Sequence, residues 1–353
     1  MSNLSKAREL LCELSADALL ITSPENRFYF SSFYGTAGYL FITENKAFIV
    51  TDGRYTVQAS VQAKDFELIT APETDFSKIR ECVSCDGMRI AYEDLSMSVH
   101  SFGELEKTLS GARFVPGGNK ISLKRKIKTA DEIIKIKEAL RLADEAFLYV
   151  LSKIAAGKTE YMIAAEIENY MRSHGAERTS FETICASGAN SAMPHHTAGK
   201  RELKNGDFLV MDFGCVVDGY CSDITRTVVI GKADKKQREI YNTVLSSQLA
   251  AEKVYAPGVL CRDADKAARD IISAAGYGNT FNHSLGHGVG VEIHEAPTLS
   301  TKAENALMCG DVVTCEPGIY VEGFGGVRIE DMAVITENSA EIITASPKEL
   351  IEI

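Results

Sequence analysis

A fifteen-residue stretch of this chain returns 104 positions later with its acidic residues in register. Gly206–Tyr220 aligns without gaps on Gly310–Phe324, and Asp212 falls on Glu316. A duplicated segment of this kind implies two similar halves facing each other, each supplying its own carboxylates. Asp218-Gly219 in the first copy is a two-residue hairpin signal. Such a turn sets residue 217 against 220 and 214 against 223. Asp212 then shares a face with Asp223, diagonally across the ladder, and Thr225 lies directly opposite Asp212. The second copy has three more residues between its acids, Glu316 and Glu330, and Gly323, Gly325 and Gly326 allow a longer or bulged loop. A loop with an odd number of residues centred near Gly323 puts Glu316 opposite Glu330. Carboxylates this close repel and raise one another's pKa, a cost that a cation removes.

Five of the seven histidines fall in two short stretches, Met193–His196 and Phe281–Glu295. His287, flanked by Gly286 and Gly288, can approach an ion with little steric hindrance, and a neutral imidazole suits first-row metals. With Asp212, Asp223, Glu316 and Glu330 it makes a mostly oxygen ligand set. Two divalent ions held ~3.5–4 Å apart share a water, lower its pKa and polarise a carbonyl, the chemistry of amide hydrolysis. His195 and His294 are placed better as donors to a carbonyl oxygen or tetrahedral intermediate, and His196 is the second candidate for that side of the substrate. His100 and His174 read as surface residues. Other chemistries lack their signatures: Gly286–Gly290 has neither G-x-G-x-x-G spacing nor a Walker lysine, and neither a G-x-S-x-G elbow nor an HExxH helix occurs.

The net charge of -11 excludes the basic face that nucleic acid or an anionic membrane requires. No apolar run approaches the ~20 residues of a membrane helix. Nine scattered cysteines behind a polar start, Met1 to Arg8, point to a reducing, cytoplasmic setting. Cys82-Val-Ser-Cys85 has no second pair and reads as two ordinary thiols. The run Lys124-Arg125-Lys126-Ile127-Lys128 reads as a solvated linker.

The length, 353 residues, fits two domains. Residues 1–120 alternate strands (Ala18–Ile21, Tyr39–Thr43, Ala47–Thr51, Met88–Tyr92, Ala112–Val115) with helices (Leu4–Leu14, Arg54–Lys64, Phe76–Ser84, Val99–Leu109), an α/β pattern. Pro116-Gly117-Gly118-Asn119 breaks the periodicity. In residues 121–353 a capping box, Thr129 to Glu132, opens a long helix whose apolar stripe runs Ile133, Ile136, Leu140, Ala143, Phe147 and Val150. Further helices are expected at about 159–173, 235–255 and 262–274. The acids lie on strands between and after them, so this domain is α+β, helices on an antiparallel sheet.

Taken together, Ala186–His195, Met211–Gly214, Cys221–Arg226, Gly286–Gly290, Cys315–Tyr320 and Gly326–Asp331 resemble the pita-bread metallopeptidases, in the Xaa-Pro branch of aminopeptidase P and prolidase. Thr51–Tyr55 resembles the creatinase/prolidase N-terminal domain. The resemblance implies a pseudo-twofold pita-bread catalytic domain behind a smaller creatinase-like one. It implies that Asp223 and Glu330 bridge two ions, that Asp212 completes one shell, and that His287 and Glu316 complete the other. Glu316 would shuttle the proton, Arg328 would steady the carboxylates, and His283 and Tyr320 would line the substrate pocket. A homodimer and two Mn ions, with Co, Zn or Fe as substitutes, are inherited expectations, and the partners are peptides. Fold relatives without catalysis, or with metal-free creatinase chemistry, have lost ligands that this chain keeps. Methionine aminopeptidase normally lacks the N-terminal domain and the Pro-His195 element. Prolidase needs a cation for the substrate's C-terminal carboxylate. The absence of arginine from His294–Ser300 therefore favours the aminopeptidase over the dipeptidase.

Overall fold

A computed structural model describes residues 2–353; Met1, where the polar N-terminal stretch begins, lies outside them. The chain divides into two compact units, Met1–Arg125 and Lys126–Ile353.

In the first unit Ala18-Leu-Leu-Ile21 has no polar side chain and is buried along its length, which suits it to a sheet interior. It pairs antiparallel with Tyr39–Thr43 and parallel with Arg89–Tyr92 in a six-stranded mixed sheet. Ala47–Thr51 and Glu67–Thr70 continue the sheet on one side, Arg113–Pro116 on the other. The α/β architecture is the expected one. Three elements lie outside the expected set, the short helix Lys120–Leu123 among them. Glu67–Thr70 is a half-exposed edge strand too polar to announce itself. The helix Pro24–Ser31 starts on a signal that is in the sequence, the Ser23 cap followed by proline in the first turn, and ends on Ser32 in the left-handed region.

The second unit opens with the helix Ala130–Leu151, capped reciprocally by Thr129 and Glu132 as expected. Helices Glu160–Ser173, Lys235–Val254 and Cys261–Ala274 follow. Each copy of the repeat supplies one strand of a central antiparallel pair, and the residues just after it supply the other. Phe208–Phe213 pairs antiparallel with Ile224–Val229 in a four-stranded sheet. Val312–Cys315 pairs antiparallel with Asp331–Ile335 in a five-stranded one. An apolar core that includes Phe208, Ile240, Val244, Ala268, Val313 and Ile329 packs helices against these strands. Beneath the junction of the two sheets the buried Arg226 donates to the carbonyls of Thr225 (2.9 Å), Glu330 (2.5 Å) and Ser346 (2.7 Å) and to the Asp331 carboxylate (2.7 Å). Among the described residues no helix is long and apolar enough to cross a membrane.

The basic run corrects the reading of a solvated linker. Arg125 is 3% exposed and donates to Asn26 Oδ1. Lys126 Nζ lies 3.4 Å from Asp311 Oδ2, and Lys128 Nζ lies 3.1 Å from Glu295 Oε2 with side-chain exposures of 1% and 3%. The partner acids stand more than 160 residues further along the chain, where a local count of charge cannot find them. A charge buried with its partner is costly to strand. Lys128→Ala is therefore expected to lower unfolding free energy by about 3 kcal/mol in urea titration. Lys128→Met combined with Glu295→Leu is expected to recover most of that loss.

Candidate metal centre

Two hairpins set the acids in place. Asp218 (φ 47°) and Gly219 (φ 77°) both occupy the left-handed region, as a type I′ turn requires, and Val217 faces Tyr220. The ladder is interrupted at residues 214 and 223, where a Cβ on Gly214 would stand 1.9 Å from the Ser222 carbonyl oxygen. It then resumes with Ile224 opposite Phe213 and Thr225 opposite Asp212. In the second copy Gly318 pairs with Arg328 and Val321 with Gly325 around a three-residue turn containing Gly323 (φ 73°). Cys315 pairs with Asp331 on the far side of the acids. The two ladders share one register, so positions 316 and 330 face each other between them, the arrangement expected from an odd loop.

Ligand atoms of Asp223, His287 and Glu330 all lie within 4.8 Å of one another. His287 Nε2 stands 3.5 Å from Asp223 Oδ2 and 3.4 Å from Glu316 Oε1. Thr225 Oγ1 donates to Glu330 Oε2 at 2.7 Å. Thr314 Oγ1 donates to Glu316 Oε1 at 3.3 Å and accepts from the His287 amide at 3.1 Å. Arg328 donates to Asp212 Oδ2 at 2.5 Å, to Thr225 Oγ1 at 3.0 Å and to the Tyr320 hydroxyl at 2.8 Å.

Burial and mutual repulsion dominate the electrostatics. Asp223 and Glu330 are pushed well above the carboxylate range, first by desolvation and then by each other's neighbours, Glu330, Asp212 and Glu316 among them. Burial pushes Glu316 up to about 8, against the pull of Arg328. His287 is pushed down to about 4 by burial and by His294, so its imidazole is neutral and free to ligate. Asp212 Oδ1, Asp223 Oδ1 and Glu330 Oε1 are buried without a hydrogen-bond partner. Buried polar atoms are ordinarily satisfied. Three orphaned carboxylate oxygens beside a neutral imidazole therefore fit divalent cations, in the hard, oxygen-rich set that such ions prefer.

The remaining expected residues divide. His283 Nδ1 donates to the Ser284 carbonyl (2.8 Å), and its Nε2 accepts from the Tyr320 hydroxyl (2.9 Å), so both border Arg328. Burial, then Arg328, pushes His283 down to about 3. His294 meets His287 edge to face at 4.4 Å between centroids, and its pKa is lowered by burial and by His195. His195 is exposed, close enough to act electrostatically on both His283 and His294. His196 Nε2 donates to the buried Glu160 Oε2 at 2.8 Å, so that nitrogen is held by the protein itself. The single signal that separates the two histidines, which of them faces a buried acid, is three-dimensional. Thr314 went unremarked in the sequence, although it sits two residues before Glu316 and so on the same strand face.

Comparison with known proteins gives matches over nearly the whole chain. Residues 134–337 match Metallopeptidase family M24, and residues 3–127 match the Creatinase/Prolidase N-terminal domain. The chain is 39% identical over 349 residues to an Xaa-Pro dipeptidase of Pyrococcus horikoshii, covering 98% of this chain and 97% of that one. It resembles the structure of an Xaa-Pro dipeptidase from Bacillus anthracis with a TM-score of 0.95 and 40% identity, covering 99% of each chain. The structure of an X-Pro aminopeptidase from Thermotoga maritima matches with a TM-score of 0.91 and 37% identity, covering 98% of this chain and all of the other.

The electrostatics carry a prediction for the metal-stripped protein. Its raised carboxylates contribute stability that is complete below their unfolded pKa and lost as pH rises through the folded one, about 8 for Glu316. His283 and His287 are depressed, so their contribution changes only below about pH 6.5. Between pH 6.5 and 8.5 the raised acids lose their protons, Glu252 outside the cluster (raised to about 7 by burial) among them, and the unfolding temperature of stripped protein should fall. The metal-loaded protein should keep only the smaller fall that Glu252 causes. Calorimetric metal titrations at pH 7 in buffers of different ionisation enthalpy should show proton release.

Proposed function

Because the chain belongs to Metallopeptidase family M24 and carries a Creatinase/Prolidase N-terminal domain, we propose that it hydrolyses the peptide bond before proline, with Xaa-Pro dipeptides as its substrates. The observation that carries hydrolysis is the set of orphaned carboxylate oxygens around His287. The substrate class is supported by near full-length likeness to two Xaa-Pro dipeptidases. The Xaa-Pro aminopeptidase reading, favoured by the missing arginine in His294–Ser300, keeps the support of the Thermotoga maritima structure.

Asp212, Asp223, His287, Glu316 and Glu330 would hold two divalent ions, with manganese expected from the family resemblance. Bound there, such ions polarise the carbonyl and lower the pKa of the attacking water. The chain's own groups do the rest. Asp223 and Glu330, each with a buried oxygen that has no hydrogen-bond partner, would help hold the ions. Glu316 receives the proton as water adds to the carbonyl carbon, then delivers it to the proline nitrogen as the C–N bond breaks. His195 and His294 donate to the carbonyl oxygen as it gains negative charge. Arg328 fixes one oxygen of Asp212, so that the orphaned one points elsewhere. His283 and Tyr320 form the neighbouring pocket wall. The cytoplasmic setting is supported by nine free thiols, Cys82 and Cys85 included, and the homodimer by the family resemblance.

The test is release of the first residue from Ala-Pro, Ala-Pro-Xaa and Met-Ala-Xaa by protein stripped and reloaded with Mn, Co or Zn. Cleavage of the dipeptide but not the tripeptide establishes the dipeptidase. Cleavage of the tripeptide establishes the aminopeptidase, and cleavage of only the Met peptide overturns both. Asp223→Asn should lose bound metal and activity together, measured by elemental analysis. His294→Ala should keep its metal while kcat drops by roughly 10²–10³.

A further inference from the structure

The loop from Ser187 to Gly199 presents His195 from an exposed position, yet both neighbours of that residue are tied down. On one side Arg328 donates to the Pro194 carbonyl at 3.3 Å, and the Gly326 amide donates to Ser191 Oγ at 2.8 Å. A Cβ on Gly326 would stand 2.2 Å from the Ser191 carbonyl oxygen, so strand and loop are in close contact there. On the other side is Glu160, the first residue of the helix Glu160–Ser173, with its side chain wholly buried.

Glu160 accepts five hydrogen bonds, all from this loop. Its Oε1 takes the Ser187 amide (2.8 Å), the Ser187 hydroxyl (2.7 Å) and Asn190 Nδ2 (3.0 Å). Its Oε2 takes His196 Nε2 (2.8 Å) and the Gly199 amide (3.0 Å). One carboxylate thus pins the beginning, the middle and the end of the loop. Burial would push its carboxyl up, but donation from Ser187 and His196 outweighs that and holds it below its usual range. Hydrogen bonds to a buried charge are the strong ones, and leaving their donors unmet is expensive.

We propose that Glu160 is a positioning residue for His195, acting through His196 and the two ends of the loop. The inference rests on the role given to His195 above. A histidine that must meet a carbonyl oxygen only as charge develops gains from being held in place beforehand, since misplacement by about 1 Å can cost roughly 10²-fold in rate. Glu160 touches no substrate and reaches the reaction through the loop.

Glu160→Gln keeps the shape but turns an amide donor against the loop's donors. In the metal-loaded enzyme acting on Ala-Pro, kcat should fall by about 10–100-fold, with KM and metal content unchanged. Amide hydrogen exchange of residues 188–199 should accelerate. In a His195→Ala background the same substitution should cost nothing further, because the group it positions is gone. Equal losses in both backgrounds, or unchanged exchange in the loop, overturn the proposal. His195→Ala with wild-type kcat overturns the carbonyl-binding reading instead, and loop exchange in Glu160→Gln then still decides whether Glu160 holds the loop. Should Glu160→Gln fail to fold, His196→Ala removes one of the five bonds and should show the same pattern at smaller size. No change in either readout for that variant also sinks the idea.

Discussion

Four carboxylates and an imidazole are gathered where little water can reach them, and their repulsion is the constraint that the catalytic unit is built to withstand. Opposed charges in such a place would ordinarily push the strands apart or force protons onto the acids. Here the strands are locked by ladders on both sides of the cluster, in one shared register for the second copy. Thr225, Thr314 and Arg328 each answer one carboxylate oxygen, and three other oxygens are left facing the cluster unanswered. The fold supplies the work of assembling like charges, and the ions complete the balance.

The duplication divides the labour without copying it. Both copies bring a pair of acids to the centre from one hairpin. The first uses a two-residue turn and a break at Gly214, while the second uses a three-residue turn. Odd and even loops place opposing residues differently, so the first pair is diagonal and the second direct. An asymmetric site follows from a nearly symmetric scaffold, and asymmetry is what separates one bound carbonyl from its leaving group.

Much of this was legible in the sequence because it depends on local rules. The alternation of strands, the capping box at Thr129 and the turn at Asp218-Gly219 obey short-range sterics and hydrogen bonding, and the registers at 212/225 and 316/330 follow from them. The edge strand Glu67–Thr70 was not legible, since its partner supplies what its own residues do not. The basic run was misread for a related reason: Asp311 and Glu295 are distant in sequence and adjacent in space. His195 and His196 are indistinguishable as letters, and only the buried Glu160 tells which one is occupied.

Arg226 gives the catalytic unit a further property. It joins the strand that follows the first copy to the backbone of Glu330 beyond the second, and it does so with backbone carbonyls and one acid rather than with the ligands' own side chains. A guanidinium keeps its proton wherever a fold survives. The fastening between the halves therefore rests mainly on backbone carbonyls and a guanidinium, groups that neither ligate an ion nor change charge with pH, and Asp331 is the one titratable partner among them.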